Sequence, residues 1–261
     1  MTLCISVVSH GHGADLLQLL QMLARPGGVH CRRVWVTLNI PEPEVLSVLQ
    51  PGSVTGSYTL NGLPIHVICN AAPLGFGANH NQAFAYERLL PDAARFFVVI
   101  NPDITWQHAP WAAMLAQAAF PQAGCVYPVQ MNAEGREQDY QRMLPTPLAL
   151  WRRYVSKVYD GRPSAVDTPD WVNAALMLFP SEVYDQIGGF DTGYHMYCED
   201  VDICLRIQLE GYQLLKASNA RVTHGARRAS RKEWRHFVWH VRSLLRLWAS
   251  EPYAQYRKWR N

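Results

Sequence analysis

Several absences narrow what this 261-residue chain can be. Its six cysteines (Cys4, Cys31, Cys69, Cys125, Cys198 and Cys204) are scattered and include no CxxC pair, so neither a disulfide framework nor a thiolate metal site is written into the sequence. No apolar run approaches the roughly 18 residues that a spanning helix needs. The N-terminus carries no basic segment followed by an apolar core, so a reduced, cytosolic chain is expected. Low-complexity tracts and internal repeats are missing too, which sets aside disordered and repeat architectures. Acidic residues are scarce at one end: residues 221–261 hold eleven Lys and Arg against only Glu233 and Glu251. The overall charge of +3 therefore hides a strongly basic tail on a net acidic body, and that tail is expected to meet something anionic.

What is present fits one large packed domain, with or without an appendage, since 49% of the residues are hydrophobic. Leu3–Ser9 reads as a strand, His10-Gly11-His12-Gly13 as a turn, and Leu16, Leu17, Leu19, Leu20 and Leu23 as a helical face. Strand, glycine-bearing turn and helix open many α/β nucleotide-binding units. Further strands are expected at 33–39 and 65–70, with residues 40–64 loop-like and room for one short helix. Gly75-Phe76-Gly77 precedes another helix, whose Asn79 and Asn81 can hydrogen-bond a base or ribose edge without charge. Phe96–Ile100 is wholly apolar, as a central strand buried on both faces would be, and ends in Asn101-Pro102-Asp103. A carboxylate at that strand end sits where open α/β sheets place ligands, and a divalent cation could bridge it to phosphates. A strand at 125–128 follows, residues 129–168 are hard to read, and short strands are expected at 212–217 and 220–223.

The densest chemistry lies at 188–212. Two glycines and an aromatic-rich loop lead into Glu199, Asp200 and Asp202, which open a helix whose dipole favours negative charge. One or two acids would serve as capping; three beside a loop with Tyr197 point to a general base. Trp171 can offer an aromatic face to a sugar or fill the core. Ser230 with Arg227, Arg228 and Arg231 could clamp a pyrophosphate. Residues 231–250 read as a basic amphipathic helix with tryptophans, suited to a bilayer interface or to docking on the domain.

The segment MYCEDVDICLRIQLEGY at 196–212 resembles the Glu-Asp region of family 2 glycosyltransferases with the GT-A fold, in particular bacterial rhamnosyltransferases of O-antigen and cell-wall glycan assembly. SVVSHGHGADL at 6–16, GFGANHNQA at 75–83, INPD at 100–103 and VTH at 222–224 match in the same order, so the likeness spans roughly residues 3–230. It implies an α/β GT-A domain over 1–230, a mainly parallel sheet flanked by helices with one strand at 170–179, and a helical appendage at 231–261. It implies inverting transfer of a sugar, L-rhamnose from dTDP-L-rhamnose, to a lipid-linked acceptor of the GlcNAc-diphospho-undecaprenol type. Ser9, His10, Asn39, Gly75, Asn79, Asn101, Asp103 and Arg228 fall to the donor, Trp171 and Tyr197 to the acceptor side, and Asp200 with Glu199 to catalysis. Asp103 matches the last acid of the family's metal motif and His224 its later ligand, so a weakly held Mg or Mn is expected, with Asn101 replacing the first acid. Where the family often has Asp-Asn after the second strand, Leu38-Asn39 stands here. A peripheral place on the inner face of the cytoplasmic membrane would follow, with no role for nucleic acid. Two other classes remain: a two-carboxylate hydrolase, and a non-catalytic nucleotide-sugar-binding partner.

Overall fold

A computed structural model describes residues 2–25, 31–49, 56–148, 168–225 and 234–260. Alternating apolar side chains build a nine-stranded sheet with a hydrophobic core on each face. Its strands are β1 (Leu3–Ser9), β2 (Cys31–Leu38), β3 (Gly56–Leu60), β4 (Leu63–Cys69), β5 (Phe96–Ile100), β6 (Ile104–Thr105), β7 (Ala123–Met131), β10 (Leu176–Pro180) and β11 (Gln213–His224), while β8 (Gln141–Arg142) and β9 (Trp171–Val172) pair apart from it. The order across the sheet is β3-β4-β2-β1-β5-β10-β7-β11-β6. Strands β4, β2, β1, β5, β7 and β11 run one way, and β3, β10 and β6 run against them. The sheet is thus mixed: six of its nine strands point one way, yet only half of its neighbouring pairs are parallel.

The period of two is visible in β5, where Phe96, Val98 and Ile100 enter one core and Phe97 and Val99 the other. Helices α1 (Gly13–Leu23), α2 (Pro43–Leu49) and α4 (Trp111–Ala118) cover the first face. The second carries α3 (Phe76–Arg88), α5 (Ser181–Gln186), α6 (Glu199–Leu209), α7 (Trp234–Ala249) and α8 (Glu251–Arg260).

Three local readings change. Residues 40–64 contain α2 and also β3, which pairs with β4 around Asn61 and Gly62, both with positive φ. The two short strands expected at 212–217 and 220–223 are one strand, β11, with a shift in register between Ala217 and Arg221. The stretch 170–179 divides into β9 and β10 rather than forming a single strand.

The C-terminal helices share the second core, to which Leu247, Tyr253 and Tyr256 contribute fully buried side chains. Their anchor is Asp170, 2% exposed, which accepts from the Leu144 amide at 2.6 Å and the Tyr256 hydroxyl at 2.8 Å and pairs with Arg260. Trp248 Nε1 adds a bond to the Pro145 carbonyl at 2.7 Å. Removing a buried acceptor with several donors leaves each of them unsatisfied. Asp170→Ala is therefore expected to lower stability by about 3 kcal/mol in urea unfolding and to expose the last two helices to limited proteolysis.

Candidate active site

The carboxyl ends of β1, β2, β4 and β5 form one rim, and the loops that leave them are tied together by carboxamides. Asn39, just past β2, receives the Leu74 amide at 2.8 Å and an Asn70 Nδ2 hydrogen at 2.9 Å, and donates to the Leu74 carbonyl at 3.0 Å. Its Nδ2 also lies 3.1 Å from His10 Nδ1. Asn79 is fully buried, with its amide spent on the Leu74 and Gly75 carbonyls and its oxygen receiving Asn70 at 2.6 Å. Ser9 is buried and receives the His12 amide at 3.1 Å. Of the residues expected on the donor side, His10 thus faces outward while Ser9, Asn39 and Asn79 shape the rim. Asn81 turns away from it: its side chain accepts the Phe190 amide at 3.0 Å and donates to the Phe190 carbonyl at 2.8 Å. That pins the Gly188-Gly189 turn, where both residues have φ near +70° (70° and 65°) and glycine carries no penalty.

Gly75 lies against the next loop, and a Cβ there would strike the His195 carbonyl, which instead accepts the Phe76 amide at 3.0 Å. Past β5, the Asn101 amide donates to the Ala175 carbonyl at 2.8 Å, and Asp103 lies in the turn into β6. Antiparallel pairing of β6 with β11 places His224 opposite Ile104, so its Nε2 comes within 3.6 Å of Asp103 Oδ1. Burial lowers the His224 pKa and favours the neutral ring, against the pull of Asp103; its Nδ1 is buried without a hydrogen-bond partner among the described residues. One carboxylate and one neutral imidazole suit a weakly held cation whose remaining ligands are phosphate oxygens and water. Among the described residues, no group of three or more His, Cys, Asp or Glu side chains could hold a metal. Arg228 lies outside the described residues.

Helix α6 begins abruptly. Tyr197 and Cys198 both adopt left-handed backbone (φ 73° and 65°), rare for non-glycine residues and costly enough to mark a constrained site. The strained step swings Glu199 and Asp200 into the protein. Glu199 is 7% exposed, its Oε2 has no partner among the described residues, and burial together with the charge of Asp200 pushes its pKa up to about 8. Asp200 keeps partial solvent access; burial raises it to about 6, opposed by the Val201 and Ala174 amides and by Arg142. Its Oδ1 receives the Val201 amide at 2.9 Å. Segment 173–175 thus joins the two halves: Ala174 touches Asp200 while Ala175 holds the strand end that carries Asp103.

Asp202 plays another part, binding Arg206 Nε at 2.8 Å while Arg206 donates to the Ile187 and Gly189 carbonyls. Trp171 is buried, with its Nε1 on the Met143 carbonyl at 2.9 Å and the Arg142 guanidinium over its ring at 5.0 Å. Tyr197, half-buried, shares a 2.9 Å hydrogen bond with His236 Nδ1. The residues that sequence reasoning passed over are Asn70 and Arg142; a carboxamide after a third strand was a signal for the first, and nothing local marked the second.

No family model matches the chain. Over 182 residues it is 29% identical to rhamnosyltransferase WbbL of Escherichia coli K12, covering 66% of this chain and 69% of that protein. It is 26% identical over 234 residues to an N-acetylglucosaminyl-diphospho-decaprenol L-rhamnosyltransferase of Mycobacterium tuberculosis, covering 80% of this chain and 76% of that protein. Among solved structures, GalNAc-T7 with UDP, GalNAc and Mn2+ superposes with a TM-score of 0.63 at 14% identity, over 87% of this chain and 44% of that one. The mannosyltransferase PcManGT of Pyrobaculum calidifontis, solved with GDP-Man and Mn2+, gives 0.59 at 16% identity, over 94% of this chain and 64% of that one. The chain spans less than two thirds of either solved protein, and the likeness to both is one of fold, that of GT-A glycosyltransferases.

A carboxyl whose native pKa is raised binds its proton more tightly folded than unfolded, so it subtracts stability as pH climbs from the unfolded value toward the native one. For Glu199 that window runs from its ordinary range near 4.5 up to about 8. Glu199→Gln is expected to stabilise the fold by on the order of 1–2 kcal/mol above pH 8 and by little at acid pH, read from thermal melting across pH.

Proposed function

We propose that this chain, a family 2 glycosyltransferase with the GT-A fold, moves L-rhamnose from dTDP-L-rhamnose to a lipid-linked GlcNAc-diphosphate acceptor in bacterial surface-polysaccharide synthesis. The carrying observation is the strained loop that presents Asp200, partly open, beside a segment tied to the Asp103 strand end. The relatives named above are rhamnosyltransferases, one of them by name specific for an N-acetylglucosaminyl-diphospho-lipid. These names support the choice of sugar and acceptor.

In this reading the acceptor hydroxyl lies against Asp200, which takes its proton as the oxygen attacks the anomeric carbon. The bond from that carbon to the diphosphate breaks on the opposite face, and the configuration inverts. Glu199, the more strongly protonated of the pair, donates a hydrogen bond and orients the acceptor. Asp103 and His224 would hold the divalent cation, which neutralises the departing diphosphate when bound. Both solved relatives contain Mn2+, which supports a divalent metal in general.

No helix among the described residues is long and apolar enough to cross a membrane. Helix α7 instead leaves Trp234, Phe237, Val238, Val241 and Leu245 exposed along one stripe. This supports a peripheral place on the inner face of the cytoplasmic membrane, where the lipid acceptor resides.

Asp200→Asn is expected to reduce acceptor-dependent dTDP release about 1,000-fold while leaving donor affinity within a factor of two. In the unaltered protein the rate is expected to fall as pH drops through about 6, because the base must be ionised. Full activity in the variant would refute the assignment of the base; turnover with another nucleotide sugar would refute rhamnose alone. Phe237→Glu combined with Leu245→Glu is expected to abolish co-flotation with vesicles of anionic phospholipid without lowering the melting temperature, since both side chains are exposed.

A further inference from the structure

We infer that the cavity between α7 and the loop leading into Glu199 seats the diphosphate of the lipid-linked acceptor. This rests on the transferase reading above and extends it to the part of the acceptor that is not sugar. The cavity measures about 480 Å³, within the range of small-molecule sites, and its walls include Gly75, Gly193, His195, Trp239, Arg242 and Arg246. Among the described residues, no carboxylate lines it.

Its two guanidiniums are prepared differently. Arg246 is held in place, donating to Asp191 Oδ2 at 2.7 Å and lying 5.1 Å over the Tyr194 ring. A Cβ at Gly193 would run into that guanidinium, so the wall stays open only because residue 193 has no side chain. Arg242, one turn earlier, is exposed and has no carboxylate partner among the described residues. A fixed cation beside an uncommitted one suits a doubly charged, multi-oxygen group, which two planar guanidiniums can grip in bidentate fashion.

Position selects the acceptor's diphosphate over the donor's. At 100° per residue, Arg242 and Arg246 lie on the flank of α7, between the exposed Val238, Val241 and Leu245 and the buried Ser243 and Leu247. A helix resting on a bilayer through that stripe carries these arginines at headgroup depth. A nucleoside diphosphate has no chain to place against the stripe, and its phosphates belong near Asp103 and His224. The wall residue His195 is followed within five residues by Asp200, so a sugar attached to the seated diphosphate is delivered toward the base.

The test is calorimetric binding of farnesyl diphosphate, a soluble isoprenyl diphosphate, to the full chain, with thymidine diphosphate and farnesol as controls. The expected result is that farnesyl diphosphate binds alongside saturating thymidine diphosphate, and farnesol binds at least tenfold more weakly. Arg242→Gln is expected to weaken farnesyl diphosphate at least tenfold and thymidine diphosphate less than twofold. Gly193→Ala, which crowds Arg246, should do the same, with circular dichroism verifying that both variants are folded. Competition between the two diphosphates, equal binding of farnesol, or unchanged affinity in folded Arg242→Gln would each overturn the assignment. Because no turnover is needed, an incorrect sugar donor would leave this outcome intact, and the two readings fail separately.

Discussion

Two carboxylates side by side in a poorly solvated place are the constraint to which much of the second face of the sheet answers. Glu199 and Asp200 are both raised, chiefly by burial, and the charge of Asp200 makes Glu199 harder still to ionise. A chain would not keep such a pair for stability. The surroundings divide them: Asp200 receives two backbone amides and the field of Arg142, while Glu199 is left with an oxygen that has no partner among the described residues. The helix dipole and the amides therefore favour ionisation at the more accessible acid. Different environments for neighbouring acids allow different roles, one as base and the other as proton-bearing orienter.

Keeping the pair in place is a task for residues that do no chemistry. Tyr197 and Cys198 are held in left-handed backbone, and such strain persists only where the surroundings fix it. Here Asp202 and Arg206 grip the Gly188-Gly189 turn upstream, Asn81 fastens Phe190, and Ser243 of α7 donates to the Met196 carbonyl at 2.8 Å. The loop is thus clamped from α6, α3 and α7 together. Through its contact with Gly75 it also reaches the rim at the strand ends, so that rim and the acid pair are parts of one packed arrangement.

Much of this was legible in the sequence because its signals are local. An apolar pentad ending in Asn101-Pro102-Asp103 reads as a buried strand with an acid at its tip, and acids before a 3.6-residue period read as a helix start. Pairing is not local. Strand β10 runs antiparallel between β5 and β7, and no residue in Leu176–Pro180 announces that direction. Side-chain roles were harder still. Asn79 and Asn81 look like groups for reading a base, yet the fold spends their carboxamides on backbone carbonyls and amides, because buried loops must satisfy their own polar groups first. Trp171 could have faced a sugar; its ring lies under Arg142 instead. Strand β3 is a different case, since Asn61-Gly62 is a hairpin signal present in the sequence and not used.

The C-terminal helix shows why amphipathic pattern alone underdetermines a surface. By helical period Phe237, Val238, Val241, Leu244, Leu245 and Trp248 form one apolar face. On α7 the fully buried Leu247 and the half-buried Leu244 and Trp248 turn to the core, while Phe237, Val238, Val241 and Leu245 continue the same apolar arc into solvent. The arc is wider than docking requires. A helix that only needed to pack would end its apolar residues where the core ends. Carrying them past that line adds exposed apolar area with no gain to the isolated fold, which supports the proposed contact with another apolar phase. Docked and interfacial roles are then compatible: the buried part fixes the orientation of the helix, and that orientation sets the height of the loop leading into Glu199 above whatever the exposed part rests on.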